Sequence, residues 1–501
     1  MNRFRHLAMV AHDMGVIFHF LGIASLLPFL VLVIFGEYHL LLPMASAPVV
    51  FLLLSYLLFL FPHEDLEPSV SATLAAVALS WLFISLVGAL PFMFGLSMSY
   101  PDSIFEAMSG WTGTGFTMIQ ALDATPKTLL FWRSFTTWIG GIGIVAFGIF
   151  LHRKTRVSLS RLYKAEGRED ELVPVTAASG RRMWMIYLVL TFFFTGLVML
   201  AGIPLWDALN LVMVAIATGG FTIHTGGIPY YNNPLLELLL IPVMIVGAIP
   251  FKFFFLMYNG KVREMIRDRT VRTLLLVAAA GSLLVSIDLY TFSNLPISEA
   301  FRQGTFTAIS GICTCGFQNS NLHHWAVIPL AIVTMMMFIG GAMGSAAGGV
   351  KINRIILAYE GVMWWFRRFF VSGRVLVPVR FSGKTVSREV SDLAISKNML
   401  VIVIYVITII AATVLTLHLY ITSFRMEEVA FEIVSALSNT GLTVGFISAA
   451  SPVMVKWIFI LLMWLGRVEI VPLIILAMGV FKELESDSRS QTPPDPYFQS
   501  R

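Results

Sequence analysis

Residues 111–117 read WTGTGFT, and the same small, polar, glycine-centred phrase returns as ATGGFT at 217–222, CTCGFQ at 313–318 and SNTGLT at 438–443. The flanks agree when the copies are aligned on Gly115, Gly220, Gly316 and Gly441. Thirteen residues before each glycine stand Asp102, Asp207, Gln303 and Glu428. An acid there suits the positive end of a short helix. Ten residues before stand Phe105, Asn210, Phe306 and Phe431, and directly after come Phe116, Phe221, Phe317 and Leu442. Between 24 and 27 residues after come Gly140, Gly247, Gly340 and Gly466. Four such copies in one chain mark an internal repeat.

The surroundings are those of a membrane protein. Of 501 residues 57% are apolar and only 13% charged, against about a quarter charged in soluble domains. Ten apolar runs approach the roughly 20 residues needed to cross a bilayer: near 15–35, 40–61, 70–97, 129–151, 183–201, 235–257, 273–292, 326–350, 398–420 and 453–479. Lys and Arg crowd into 152–182, 258–272 and 367–397, whereas 98–128, 202–234, 293–325 and 421–452 hold only Lys127, Arg302 and Arg425. The basic segments are therefore expected inside, with both termini. This bias accounts for the net charge of +5 and gives no reason to infer nucleic-acid binding. No removable signal peptide is expected at the N-terminus, and the polar tail 481–501 reads as disordered, its PYFQSR end unrelated to the fold.

Every glycine phrase falls in an outside segment, behind an amphipathic stretch too short to span: 102–110, 205–217, 298–311 and 426–438. Such stretches read as re-entrant helices. The unit is span, short helix, glycine loop, span, and the first two spans stand outside it. Irregular backbone at membrane depth survives only inside protein or along a water-filled cavity. Glycine reaches positive φ without penalty, so four such loops can turn carbonyl oxygens toward one axis. Together with the negative helix ends, they would replace the water shell of a weakly hydrated monovalent cation. Hard divalent cations want carboxylates, which the loops lack.

The stretches FEAMSGWTGTGFT (105–117), GGFTIH (219–224), FIGGAMGSAAGGVKINRI (338–355) and LMWLGRVEI (462–470) resemble the Trk/Ktr/HKT superfamily of potassium transporters, most closely its TrkH-like branch. The resemblance covers roughly residues 1–480. It implies an all-α polytopic fold with two extra N-terminal helices (1–66), four pore repeats (67–165, 166–265, 266–375 and 376–480) and the tail 481–501. It implies K+ as the transported ion, since the family's Na+-transporting members carry serine where this chain has Gly115. The expected filter comprises Thr112, Gly113, Thr114, Gly115, Thr218, Gly219, Gly220, Cys313, Thr314, Cys315, Gly316, Asn439, Thr440 and Gly441, with Thr117, Thr222 and Thr443 adding hydroxyls around it. Cys313, Cys315, Gln318 and Asn439 depart from the family pattern. A homodimer in the prokaryotic inner membrane is implied, with a cytoplasmic RCK-type, TrkA-like nucleotide-binding subunit and no organic cofactor.

The stretch GGAMGSAAGG (340–349) interrupts the eighth span, and each glycine costs a helix about 1 kcal/mol relative to alanine. It reads as close helix packing or as a flexible plug below the filter. The resemblance implies the plug, so the expected gate is Gly340, Gly341, Gly344, Ser345, Gly348, Gly349 and Arg467. A phosphate loop is a poor match, because Val350 separates Gly349 from Lys351 and no strand precedes it. Arg467 is a mid-span charge, expected beside the plug or else paired with Glu469. Arg133, Lys252 and Lys456 are expected to snorkel.

Cys313 and Cys315 are too close in sequence for a relaxed bridge, and they form at most half a zinc site; small side chains lining a loop explain them as well. No nucleophile elbow or HExxH supports an enzyme. The rival mechanism is symport coupled to H+ or Na+, for which Glu360 and Glu469 are the clear span-interior acids.

Overall fold

A computed structural model describes residues 2–61, 70–143, 177–258, 260–293, 295–370, 379–381, 384–386 and 388–469. The expectations for 152–176 and for the tail lie outside these residues. The architecture is helical apart from a small antiparallel ribbon, Val379–Phe381 against Lys384–Val386.

Two helical segments, α1 (Asn2–Ala24) and α2 (Pro28–Phe35), form the first span; Pro28 opens the second of them. The second span, α3 (Leu41–Phe59), packs on α1. Four units follow. The first runs α4 (Val70–Gly88), α5 (Leu90–Leu96), the short α6 (Tyr100–Thr112), a loop, and α7 (Lys127–Ile142). The second has α8 (Ala177–Met199), the short α9 (Leu205–Ile216), and then α10 (Pro234–Ala248), α11 (Phe251–Tyr258) and α12 (Val262–Arg267). The third has α13 (Arg269–Thr291), the short α14 (Ile297–Ile312), α15 (Val327–Ile339) and α16 (Ile352–Phe369). The fourth has α17 (Arg388–Leu419), the short α18 (Met426–Leu437) and α19 (Val453–Val468).

Among the described residues, five helical segments are long and apolar enough to cross a membrane: 10–35, 38–59, 75–96, 269–291 and 395–419. The other expected spans are shorter or interrupted, and the interruption has a common place. The closing helix of each unit ends at Ile142, Ala248, Ile339 and Val468 respectively. Gly143, Gly340 and Glu469 turn the chain into positive φ there, while Ile249 is extended before Pro250. A continuous run of apolar letters does not reveal such breaks.

Burial is graded inside out. The short helices are the core: α6 is buried from Ser103 to Thr112 and α18 from Phe431 to Leu437. The long helices carry the exposed apolar side chains, among them Val403, Ile407, Ile410 and Val414 of α17. That is the distribution expected when lipid, not water, surrounds the protein.

One difference from the aligned repeat concerns the third short helix. Glu299, not Gln303, occupies its first turn, because the helix starts after Pro296 and is 16 residues long against 12 or 13 in the others. Asp102, Asp207 and Glu428 do stand in first turns.

Candidate ion site at the meeting of four loops

Each short helix ends in the same way. The N–H groups of Thr114, Gly219, Cys315 and Thr440 donate to the carbonyls of Ser109, Val214, Ser310 and Ser435 at 2.8–3.0 Å. Those of Gly113, Thr218, Thr314 and Asn439 donate to Gly110, Ala215, Gly311 and Ala436 at 3.0–3.1 Å. This paired pattern is the Schellman cap, which requires a left-handed residue just past the helix. Gly113 meets the requirement freely; Thr218, Thr314 and Asn439 meet it at φ 54°, 49° and 52°, where a side chain is strained.

Two residues on, Gly115, Gly220, Gly316 and Gly441 are again left-handed, at φ 102°, 70°, 85° and 87°. They also pack so closely that no side chain fits. A Cβ on Gly115 would fall within 3.0 Å of the Gly219 carbonyl oxygen. One on Gly220 would meet that of Cys315, one on Gly316 that of Thr440, and one on Gly441 that of Thr114, all inside the same limit. The contacts run from unit one to two, two to three, three to four and four back to one. The four loops therefore close a ring in which each glycine backs onto the carbonyl that precedes the next unit's glycine. All the expected filter residues belong to this ring or to the caps beneath it. Cys313 and Cys315 are buried free thiols within it.

The later glycines hold the ring from behind. A Cβ on Gly140, Gly247 or Gly466 would strike the carbonyl of Trp111, Ile216 or Leu437, each four residues before a ring glycine. Gly340 differs from the expected equivalence: it packs on Gly348 and Gly349 instead, because the chain there folds back on itself.

That fold-back is segment 340–349, which is irregular backbone beneath the ring. Its Gly348 N–H donates to the Thr314 hydroxyl at 2.8 Å, and a Cβ on Gly348 would strike the Ser438 carbonyl. Ala342 and Ala346 donate to the carbonyls of Ala248 and Gly247 at 3.1 Å, and Phe251 donates to Gly344 at 3.0 Å. Arg467 donates to the carbonyls of Ala346, at 3.1 Å, and Gly140, and its guanidinium lies 4.9 Å from the Trp81 ring centre. Arg467 thus ties the segment to the first unit. The expected pairing alternative does not occur: Glu469 pairs with Lys351, at 3.0 Å, and Arg354.

Two expected snorkelling cations are buried. Arg133 pairs with Glu106 at 2.7 Å, donates to the Thr222 carbonyl at 2.8 Å and lies over Phe221. Lys456 bonds Asp102 at 2.5 Å and the Ala449 carbonyl at 2.7 Å. Sequence reasoning also missed Glu106 and Glu432, which stand nine residues before their ring glycines and take donors from the loops. Extending the repeat alignment to that position would have found them.

On the side of the loops away from segment 340–349, His224 bridges Asp123 (2.6 Å) and Asp207 (3.2 Å), with Tyr230 stacked on its ring at 3.7 Å. Hydrogen bonds from His224 and Thr225 hold the Asp123 carboxyl down at about 2. Neighbouring loops are linked further by Asn439, which donates to the Thr114 hydroxyl at 3.1 Å, and by Gln318, which accepts from Thr443 at 3.2 Å.

Residues 44–491 match TrkH, a family described as cation transport protein. The chain is 28% identical to a cation transporter of Methanocaldococcus jannaschii, over 95% of this chain and 96% of that one. It is 26% identical to the Trk system potassium uptake protein TrkG of Escherichia coli, over 81% and 84% of the two chains. The fold is that of the potassium transporter TrkH from Vibrio parahaemolyticus, whose crystal structure superposes with a TM-score of 0.81 at 24% identity, over 94% of this chain and 98% of that one.

Proposed function

Because the chain belongs to the TrkH family of cation transport proteins, we propose that it is a channel-like K+ uptake protein of the cell membrane. It is a transporter, not an enzyme. One observation carries the reading: four left-handed glycines close a ring, each against the carbonyl of the next unit. Carbonyls of Thr114, Gly219, Cys315 and Thr440, stacked with those of neighbouring loop residues, then serve as substitutes for the hydration shell of K+. The nearby carboxylates Glu106 and Glu432 are engaged by loop donors, which leaves neutral oxygens for the ion and suits a monovalent cargo. The names of the Trk relatives point to K+ as well.

In this reading segment 340–349 is the gate, a role supported by its place beneath the ring and by the bond of its Gly348 N–H to the Thr314 hydroxyl. Arg467 beneath the ring adds a positive barrier to the plug. Flow is passive: a membrane potential of 100 mV is worth about 2.3 kcal/mol per charge, roughly fifty-fold accumulation. The acids that coupled symport would call on are tied up, Glu469 by Lys351 and Arg354 and Glu360 by Arg269. A homodimer with a cytoplasmic nucleotide-binding subunit as the controller of the gate completes the proposal.

The test is K+ against Na+ flux in proteoliposomes under an imposed voltage, with no pH or Na+ gradient, for wild type and Gly115→Ser. Wild type should favour K+. The serine, whose Cβ must displace the Gly219 carbonyl, should lose that preference. Flux that appears only when a pH or Na+ gradient is applied would replace passive flow with symport.

A further inference from the structure

Two carboxylates lie behind the loops, in α6 and α18, and both are fully buried. Glu432 gathers donors from one stretch of the fourth loop. The Thr443 hydroxyl (2.5 Å) and the N–H groups of Val444 (3.0 Å) and Phe446 (2.8 Å) reach Oε1, and the Ile447 N–H (2.8 Å) reaches Oε2. Glu106 holds the first loop in the same way, through the Thr117 hydroxyl at 3.1 Å and the Met118 N–H at 2.7 Å. It shares its charge with Arg133.

The other two units are built differently at this position. The second has Leu211, which accepts nothing; its Thr222 carbonyl is held by Arg133 from the first unit instead. The third has Thr307, whose hydroxyl makes a 3.4 Å contact with Asn319, and Asn319 is held in turn by Glu237 at 2.6 Å.

A buried carboxylate demands several donors, and here the loop supplies them. The demand also runs in reverse. A trans peptide is planar, so its N–H and C=O point in opposite directions. Pinning the N–H of Val444 to Glu432 turns the Thr443 carbonyl away from α18, and pinning that of Met118 to Glu106 turns the Thr117 carbonyl away from α6. We infer that Glu432 is a positioning residue for ion selection: it fixes the carbonyls at the outer end of the fourth loop, as Glu106 does for the first. The ion path is then stiff on two adjacent sides and softer on the other two. This rests on the K+ filter reading above.

The discriminating variants are Glu432→Leu, which installs the residue the second unit carries naturally at Leu211, and Glu432→Gln. The full chain is reconstituted in proteoliposomes, and K+, Rb+ and Na+ permeability ratios are taken from reversal potentials, beside size exclusion and thermal melting. We expect Glu432→Leu to elute as wild type, still to conduct, and to lose about tenfold in K+/Na+ ratio. Glu432→Gln should fall between, since its amide oxygen keeps one set of donors while its NH2 meets the Ile447 N–H. A folded Glu432→Leu with the wild-type ratio overturns the inference. If that variant does not fold, an unchanged ratio in Glu432→Gln overturns it. A wild type that does not discriminate K+ from Na+ defeats the filter reading itself, which keeps the two failures apart.

Discussion

A single methyl group is the sharpest probe of the ring. On Gly316 it would meet the Thr440 carbonyl, and the left-handed backbone there resists any side chain. Gly316→Ala should therefore abolish the K+ preference or prevent assembly, read by flux ratio and by size exclusion. Gly196 of α8 is the control, since nothing lies within 4 Å of its added Cβ. Gly196→Ala should leave flux unchanged and raise helix stability by up to about 1 kcal/mol, read as a higher melting point. The strained caps give the opposite sign. Thr218 sits at φ 54° and its hydroxyl donates to the adjacent Ala217 carbonyl at 2.8 Å. Thr218→Gly relieves strain of about 1 kcal/mol and should melt no lower than wild type. The ring glycines were legible in the sequence because a repeated phrase exposes them four times. The left-handed threonines and Asn439 were not, since nothing in those letters announces positive φ; only the cap geometry imposes it.

Among the elements, the proposed gate is held by backbone bonds and by side-chain ties, and the side-chain ties can be cut. Thr314→Val removes the acceptor of the Gly348 N–H, and Arg467→Gln weakens the tie between Ala346 and Gly140. Both should raise basal K+ flux severalfold; Thr314→Val, which leaves the ring carbonyls in place, should do so with the K+/Na+ ratio intact. The outer clasp should behave differently. Asp123 is held at about 2, below its ordinary value, so its contribution is full above about pH 4 and is lost only as pH falls through 2. Asp123→Asn should therefore lower the melting temperature at neutral pH, and its difference from wild type should vanish as pH falls through about 2, which a pH series of melts will check. The glycine-rich break was visible in the sequence as a poor helix. The burial of Arg133 and Lys456 was not, because their partners Glu106 and Asp102 lie 27 and 354 residues away, and an isolated cation in an apolar run looks the same whether it snorkels or pairs. The third short helix reads at 298–311 in the sequence, in agreement with Ile297–Ile312, but the repeat puts Gln303 at its start because alignment on Gly316 fixes the end of the helix, whereas Pro296 fixes its start.

The whole molecule is a circle of four units written on one line. Its architecture was readable because every unit repeats one order of span, short helix and loop, and because Lys and Arg avoid the loop side. Its closure was not, since the bonds that join the fourth unit to the first connect the two ends of the repeat region. Those bonds include Asn439 on Thr114, Lys456 on Asp102 and Arg467 on the Gly140 carbonyl. They bear on manufacture more than on conduction. Domains fold in the order in which the ribosome delivers them, so the first short helix must wait in the bilayer until the last has been made. Until then the molecule is a horseshoe, with the ring glycines of its outer units facing an empty seat. The join between fourth and first units can form only after the last unit has been made, and damage at Asp102 or Lys456 should be felt as fewer finished molecules in the membrane, each conducting as it should.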